Sequence, residues 1–166
     1  MVQANWEQLY DEHAAALVLY ARQWVTSVSD AEDAVQDAFV RLLKSARTFG
    51  DRPVPILYQA VKWAALDKVR QRERVGRREE TAACFGPAET LFECSLEGAE
   101  RREQIEGALH GLAADQREVL VLHIWGNLSF REIGLTLGIS QNTAASRYRY
   151  ALKNLGAILN KQELIA

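Results

Sequence analysis

Residues 127–155, NLSFREIGLTLGISQNTAASRYRYALKNL, contain two helix starts separated by a glycine stop. Ser129 and Glu132 stand three apart ahead of an apolar stretch. That is the spacing of a capping box, in which the serine oxygen accepts from a backbone N–H and the glutamate reaches back. Phe130, Ile133 and Leu137 then fall on one helical side. Gly138 suits a left-handed helix end, Ile139 plugs the corner, and Ser140 caps a second helix read as 141–154. Its inward positions are Ala144, Tyr148, Ala151 and Leu155, and its outward ones Asn142, Ala145, Ser146, Arg149 and Lys153. Helix, short glycine turn, helix with a polar and basic outer face is the pattern that presents one helix to the DNA major groove. Gln141 and Asn142 are candidates for base edges; Arg147, Arg149 and Lys153 are candidates for phosphate or guanine, with Ser146 beside them. An ordinary helical hairpin is the plainer reading of the same caps.

The rest of the chain also keeps a three- and four-residue apolar period, and no convincing strand or tandem repeat is found. Trp6, Leu9, Tyr10, His13, Leu17, Tyr20, Ala21 and Trp24 form a first helical stripe. Ser29 or Asp30 is expected to cap a second helix with Ala31, Ala34, Val35, Ala38, Leu42 and Leu43 on its apolar face. TFGDRPVP (48–55) reads as a loop. A third helix is expected from about Ile56 to about Arg74, with Leu57, Val61 and Ala64 inward and Ala65 at the margin. Helical period returns at Ile105, Leu109 and Leu112, runs through Val119, Leu120, Leu122 and His123, and stops at Gly126.

Charge is blocked rather than mixed, although the formal net charge of the 166 residues is only -2. Residues 62–78 carry seven cations against two carboxylates, a net of +5, and residues 79–106 carry eight glutamates against two arginines, a net of −6. The acidic stretch, with Gly86-Pro87, reads as a linker between two small all-helical domains: 1–75, linker 76–103, and 104–166. The start of the sequence shows no secretory pattern, and no apolar run is long enough to span a membrane, so a cytoplasmic protein without direct membrane insertion is expected. Cys84 and Cys94 are too few for a disulfide scaffold and lack histidine partners at zinc spacing. Two inert thiols and a redox pair are both open readings.

Two faces remain to be explained. DAEDAVQDAFVRL (30–42) threads carboxylates through an apolar repeat. Asp33, Asp37, Val40 and Lys44 share one side, which suits protein docking. A metal site would need a further carboxylate or a histidine, which is not evident. A solvated acidic face favoured by the helix dipole is the third reading. On the third helix, Gln59, Lys62, Trp63, Leu66 and Arg70 form one stripe. A tryptophan beside cations suits stacking on an unstacked base, while a slight rotation would make Trp63 core. The run RQRERVGRR, including Arg72 and Arg74, reads as phosphate contact.

Taken together, DAEDAVQDAFVRLLK, ILYQAVKWAALDKVRQRER and QIEGALHGLAADQREVLVLHIWGNLSFREIGLTLGISQNTAASRYRYALKNL resemble, in order, three motifs of the bacterial sigma-70 family. The resemblance is to its small two-domain members of the extracytoplasmic-function (ECF) type. It implies an all-α fold: a region 2-like domain, then a region 4-like helix-turn-helix. It implies a promoter-specificity subunit of RNA polymerase that performs no chemistry and needs no cofactor, metal or small-molecule substrate. Asp33, Gln36 and Asp37 match the positions that hold the polymerase core, and the basic helix, with Lys62, Trp63, Arg70, Arg72 and Arg74, matches the downstream promoter element reader. Helix 141–154 matches the upstream element reader. An anti-sigma protein is an expected partner, and the acidic linker would thread polymerase channels as a mimic of nucleic acid or serve as a simple tether.

This chain departs from the family pattern at Ile56, where Trp is usual, and at Trp63, where Asn is usual. In the recognition helix, Ala144, Ala145 and Tyr150 replace the usual Val, Lys and Arg, so two cations are absent. Those losses keep a rival open: a sigma-like decoy that binds a regulator in place of promoter DNA. A stand-alone helix-turn-helix repressor would not need the DAED helix. An enzyme is not expected, because His13, His110 and His123 sit in helical patterns without a nearby nucleophile.

Overall fold

The computed structural model describes residues 6–45, 53–76 and 107–163. Cys84, Cys94, residues 48–52 and the acidic linker after Gly76 lie outside the described residues. Every regular element among the described residues is helical. The chain divides into two compact units, Met1–Glu89 and Thr90–Ala166.

The first unit holds α1 (Trp6–Ala21), α2 (Val28–Lys44) and α3 (Pro53–Gly76). Ser27, not Ser29 or Asp30, caps α2: its hydroxyl oxygen accepts from the backbone N–H of Asp30. All three are good capping residues; at Ser27 the hydroxyl also donates to the Asp30 carboxylate, which ties the cap to the first turn. Pro53 and Pro55, read as loop, begin α3. Proline loses nothing in a first helical turn, where its missing N–H would have no intrahelical partner.

Alanine carries the packing of α2. Ala31, Ala34, Val35, Ala38 and Phe39 are buried against α1 and α3, which contribute Leu17, Val18, Tyr20 and Ala21, and Leu57, Tyr58, Val61, Ala64 and Ala65. Small side chains let helices approach closely, and each large aliphatic group buried there stabilises the unit by about 1.5–3 kcal/mol. Leu43, expected inside, is 54% exposed. Phe39 fills that role instead, meeting Trp6 and Tyr10 edge-on. Tyr20 packs edge-to-face on both Trp24 and Tyr58.

The second unit holds α4 (Ala114–Ile124), α5 (Phe130–Leu137) and α6 (Gln141–Glu163), preceded by a helical turn at 107–110. Four consecutive residues of α4, Val119, Leu120, Val121 and Leu122, are fully buried, so this turn of the helix is covered all round. The apolar period does end before Gly126, but the residue that takes the left-handed conformation is Asn127 (φ 51°). Asparagine tolerates that region far better than other side chains. Helix α6 runs nine residues past the expected 154, to Glu163. Ile158 packs with Tyr148 and Leu155 on the cluster of Leu109, Leu112, Leu120 and Ala151, which gives the extra turns a core to cover.

Candidate docking and nucleic-acid interfaces

The acidic helix and the basic helix pair with each other. Asp30 of α2 meets Arg72 of α3. Asp33 and Asp37 both meet the Lys68 ammonium, at 3.5 and 3.7 Å. Arg41 meets Asp67 at 3.1 Å, and Asp67 also takes Arg70 at 3.3 Å. Spacings of three and four along α2, and of four between Lys68 and Arg72 on α3, place these groups on one seam, with the alanine core beneath. Asp33, Gln36 and Asp37 nonetheless stay exposed, and Val40 and Leu43 add apolar area to that side of α2. Among the described residues no cluster of three or more metal-ligating side chains occurs.

Trp63 is on the surface, 54% exposed, so it is not a core residue. Its neighbours on the stripe are Gln59, Lys62, Leu66 and Arg70. The Lys62 ammonium lies 5.5 Å from the centre of the Trp24 ring, a cation–π contact that ties α3 to the end of α1. Trp24 is itself steadied by Tyr20. Arg70 and Arg72 are two residues apart, so they point about 160° apart around the helix. Arg70 and Arg74 flank the tryptophan side; Arg72 is turned to Asp30 on the α2 side.

In the second unit the expected caps are present. The Ser129 hydroxyl oxygen accepts from the backbone N–H of Glu132, and the Glu132 carboxylate accepts from the backbone N–H of Ser129. Gly138 ends α5 at φ 69°, and the Ser140 oxygen accepts from the backbone N–H of Thr143. Gly134 is the missed component. A Cβ there would lie 2.7 Å from the Ile139 carbonyl oxygen, so the turn folds back onto the helix at a point where only hydrogen fits. The visible signal was a glycine inside an amphipathic helical pattern. Thr136, also missed, is buried and donates its hydroxyl to the Glu132 carbonyl.

His123 locks this unit internally. Its Nδ1 lies 2.8 Å from the Leu128 carbonyl, and its ring stacks on Phe130 and meets Tyr148 edge-on. It is a packed histidine. On α6, Gln141, Asn142, Arg149 and Lys153 are exposed and Ser146 is half-buried, its hydroxyl oxygen accepting from Arg149 at 3.3 Å. Arg147 instead pairs with Asp115 of α4 at 3.2 Å, and Asn154 donates to Gln116 at 2.8 Å. Those two contacts fix the helix to its unit and take Arg147 off the outer face.

One unit thus pairs an exposed acidic helix with a tryptophan-bearing basic helix, and the other is a helix-turn-helix with a polar outer face. The Sigma-70 region 2 family model matches residues 9–75, and the Sigma-70, region 4 model matches residues 102–155. The ECF RNA polymerase sigma factor SigL of Mycobacterium tuberculosis is 30% identical over 159 residues, covering 92% of this chain and 88% of the relative. RNA polymerase sigma factor CarQ of Myxococcus xanthus is 30% identical over 167 residues, covering 98% and 93%. Among solved structures, the sigma factor RpoE bound to the anti-sigma factor NepR, from Bartonella quintana, matches with a TM-score of 0.72 at 21% identity over 95% of this chain and 98% of that one. CnrH in complex with the cytosolic domain of CnrY matches with a TM-score of 0.65 at 26% identity over 94% and 88%. The chain belongs to the sigma-70 family of RNA polymerase sigma factors, in its ECF type. Members of this class are initiation factors rather than enzymes, and their partners are the polymerase core and promoter DNA.

Proposed function

We propose that this protein directs the RNA polymerase core to promoters in the cytoplasm through three separate faces. Asp33, Gln36 and Asp37, with Val40 beside them, dock α2 on the core. Lys62, Trp63, Arg70 and Arg74 hold the melted downstream strand, with Trp63 stacking on an unpaired base and the cations on the phosphates. Arg72 contributes to that face through the placement of α3 against Asp30. Gln141, Asn142, Ser146, Arg149 and Lys153 read the upstream element from α6, and Arg147 holds that helix in place through Asp115. Two weak DNA contacts tethered to one polymerase act at high effective concentration, so neither needs high affinity alone.

The observation that carries this reading is the exposed Trp63 between Lys62 and Arg70, on a helix whose opposite side is sealed against α2. No described helix is long and apolar enough to cross a membrane. An anti-sigma protein completes the partner set, supported by the complexes in which RpoE and CnrH were solved. Replacing Asp33 and Asp37 together by lysine is expected to weaken core binding at least 100-fold with unchanged helical circular dichroism; unchanged binding would remove the docking assignment.

The decoy reading draws on the recognition helix, where Ala145 and Tyr150 stand at usual cation positions and Arg147 is taken by Asp115. A protein that binds core polymerase yet shows no sequence-specific promoter affinity would favour it.

A further inference from the structure

Asp33 and Asp37 stand one turn apart on α2, where two like charges repel. Lys68 of α3 reaches both, and its contacts go to the Oδ2 atom of each carboxylate. No described residue engages either Oδ1 atom. The lysine side chain is only 20% exposed, while the two aspartates remain 57% and 54% exposed. A largely sheltered cation therefore holds two accessible carboxylates from behind. Lys68 lies about 140° around α3 from Trp63, so it is off the face assigned to DNA.

We propose that Lys68 is a positioning residue for polymerase docking: it fixes Asp33 and Asp37 as a pair, each with one oxygen left for a basic group of the core. This rests on the reading that Asp33 and Asp37 dock. Ion pairs with exposed partners add little to folding stability. Fixing two side chains before association is different, because their ordering cost is then met during folding and not during binding. Positioning and charge act on separate rate constants. Loss of the Lys68 charge makes the acidic face more attractive to a basic partner and speeds encounter, whereas loss of positioning shortens the life of the complex.

The test measures association and dissociation rates of the full chain on immobilised bacterial core polymerase. Lys68→Met is expected to raise the dissociation rate about fivefold, with association equal or faster and an unfolding midpoint within about 2 °C of the parent. Lys68→Arg is expected to restore the dissociation rate to within about twofold. In an Asp33→Asn/Asp37→Asn background, Lys68→Met is expected to add nothing, as a double-mutant cycle requires of one interacting set. A dissociation rate unchanged or slowed by Lys68→Met overturns the proposal, as does an undiminished effect in the asparagine background. If the asparagine pair itself binds core like the parent, the docking reading fails and the positioning role falls with it.

Discussion

The seam between α2 and α3 and the turn between α5 and α6 are built by opposite means. At the turn, every determinant acts within a few residues: Ser129 on Glu132, Gly134 beneath Ile139, Ser140 on Thr143. At the seam, Asp30 meets Arg72, Asp33 and Asp37 meet Lys68, and Arg41 meets Asp67, partners 26 to 42 residues apart. The turn sets the angle between α5 and α6, and so how the outer face of α6 is presented. The seam places two oppositely charged helices so that each neutralises part of the other and still offers an outer face. Local chemistry there sets geometry, and long-range chemistry here sets which charges remain available.

Gly134→Ala should break the turn most severely. The new Cβ meets the Ile139 carbonyl at 2.7 Å, and backbone on both sides must move. The clash outweighs the roughly 1 kcal/mol that alanine gains in a helix, so a net loss of about 2 kcal/mol is expected in urea unfolding. Ser129→Ala acts on the same turn more gently. It removes both hydroxyl contacts of the capping box at a cost of about 1 kcal/mol, and a fall in the unfolding midpoint would show it. A turn insensitive to both changes would mean that packing, not local chemistry, shapes it.

Two arginines on α6 sharpen the difference between binding and holding. Arg149→Ala should weaken upstream promoter affinity and flatten its salt dependence by about one unit of slope, with stability unchanged. Arg147→Ala should lower stability by about 0.5 kcal/mol through loss of the Asp115 pair, with the salt slope kept. Filter or anisotropy binding across a salt series separates the two.

The smallest effect lies in the core beside the seam. The Tyr58 side chain is fully buried, and its hydroxyl has no hydrogen-bond partner among the described residues. Tyr58→Phe should therefore leave stability equal or raise it by up to about 1 kcal/mol. Burial pushes the Tyr58 phenol well above its ordinary value, so the native state resists losing this proton. The stability this contributes is complete below about pH 10 and is lost as pH rises from there, because the unfolded chain ionises first. The phenylalanine variant should lose less stability between neutral pH and about pH 10.5.

What was legible follows the same division. The capping box, Gly138 and the Ser140 cap are short-range signals, and they stood in the expected places. The first-unit core was read in its periodic positions but not in its substitutions: Phe39 for Leu43, and Tyr58 beside Leu57. Helical period alone cannot say how far a stripe is rotated, and a large aromatic at the margin decides it. Ser27 was passed over because three capping residues crowd one helix start. The prolines were assigned to a loop because their tolerance in a first turn depends on where the helix begins. The Lys68 and Arg72 pairings were out of reach, since nothing in a basic run says which cations face the neighbouring helix. Trp63 required the structure for the same reason: its spacing fitted a surface stripe and a core position equally.

The central claim is that the protein selects promoters for a polymerase that does the chemistry. Run-off transcription tests it directly: the purified protein, bacterial core polymerase and fragmented genomic DNA of its host, with transcript 5′ ends sequenced. Discrete start sites preceded by two spaced, shared motifs are the expected result. Polymerase binding without discrete starts, or no polymerase binding at all, would contradict it.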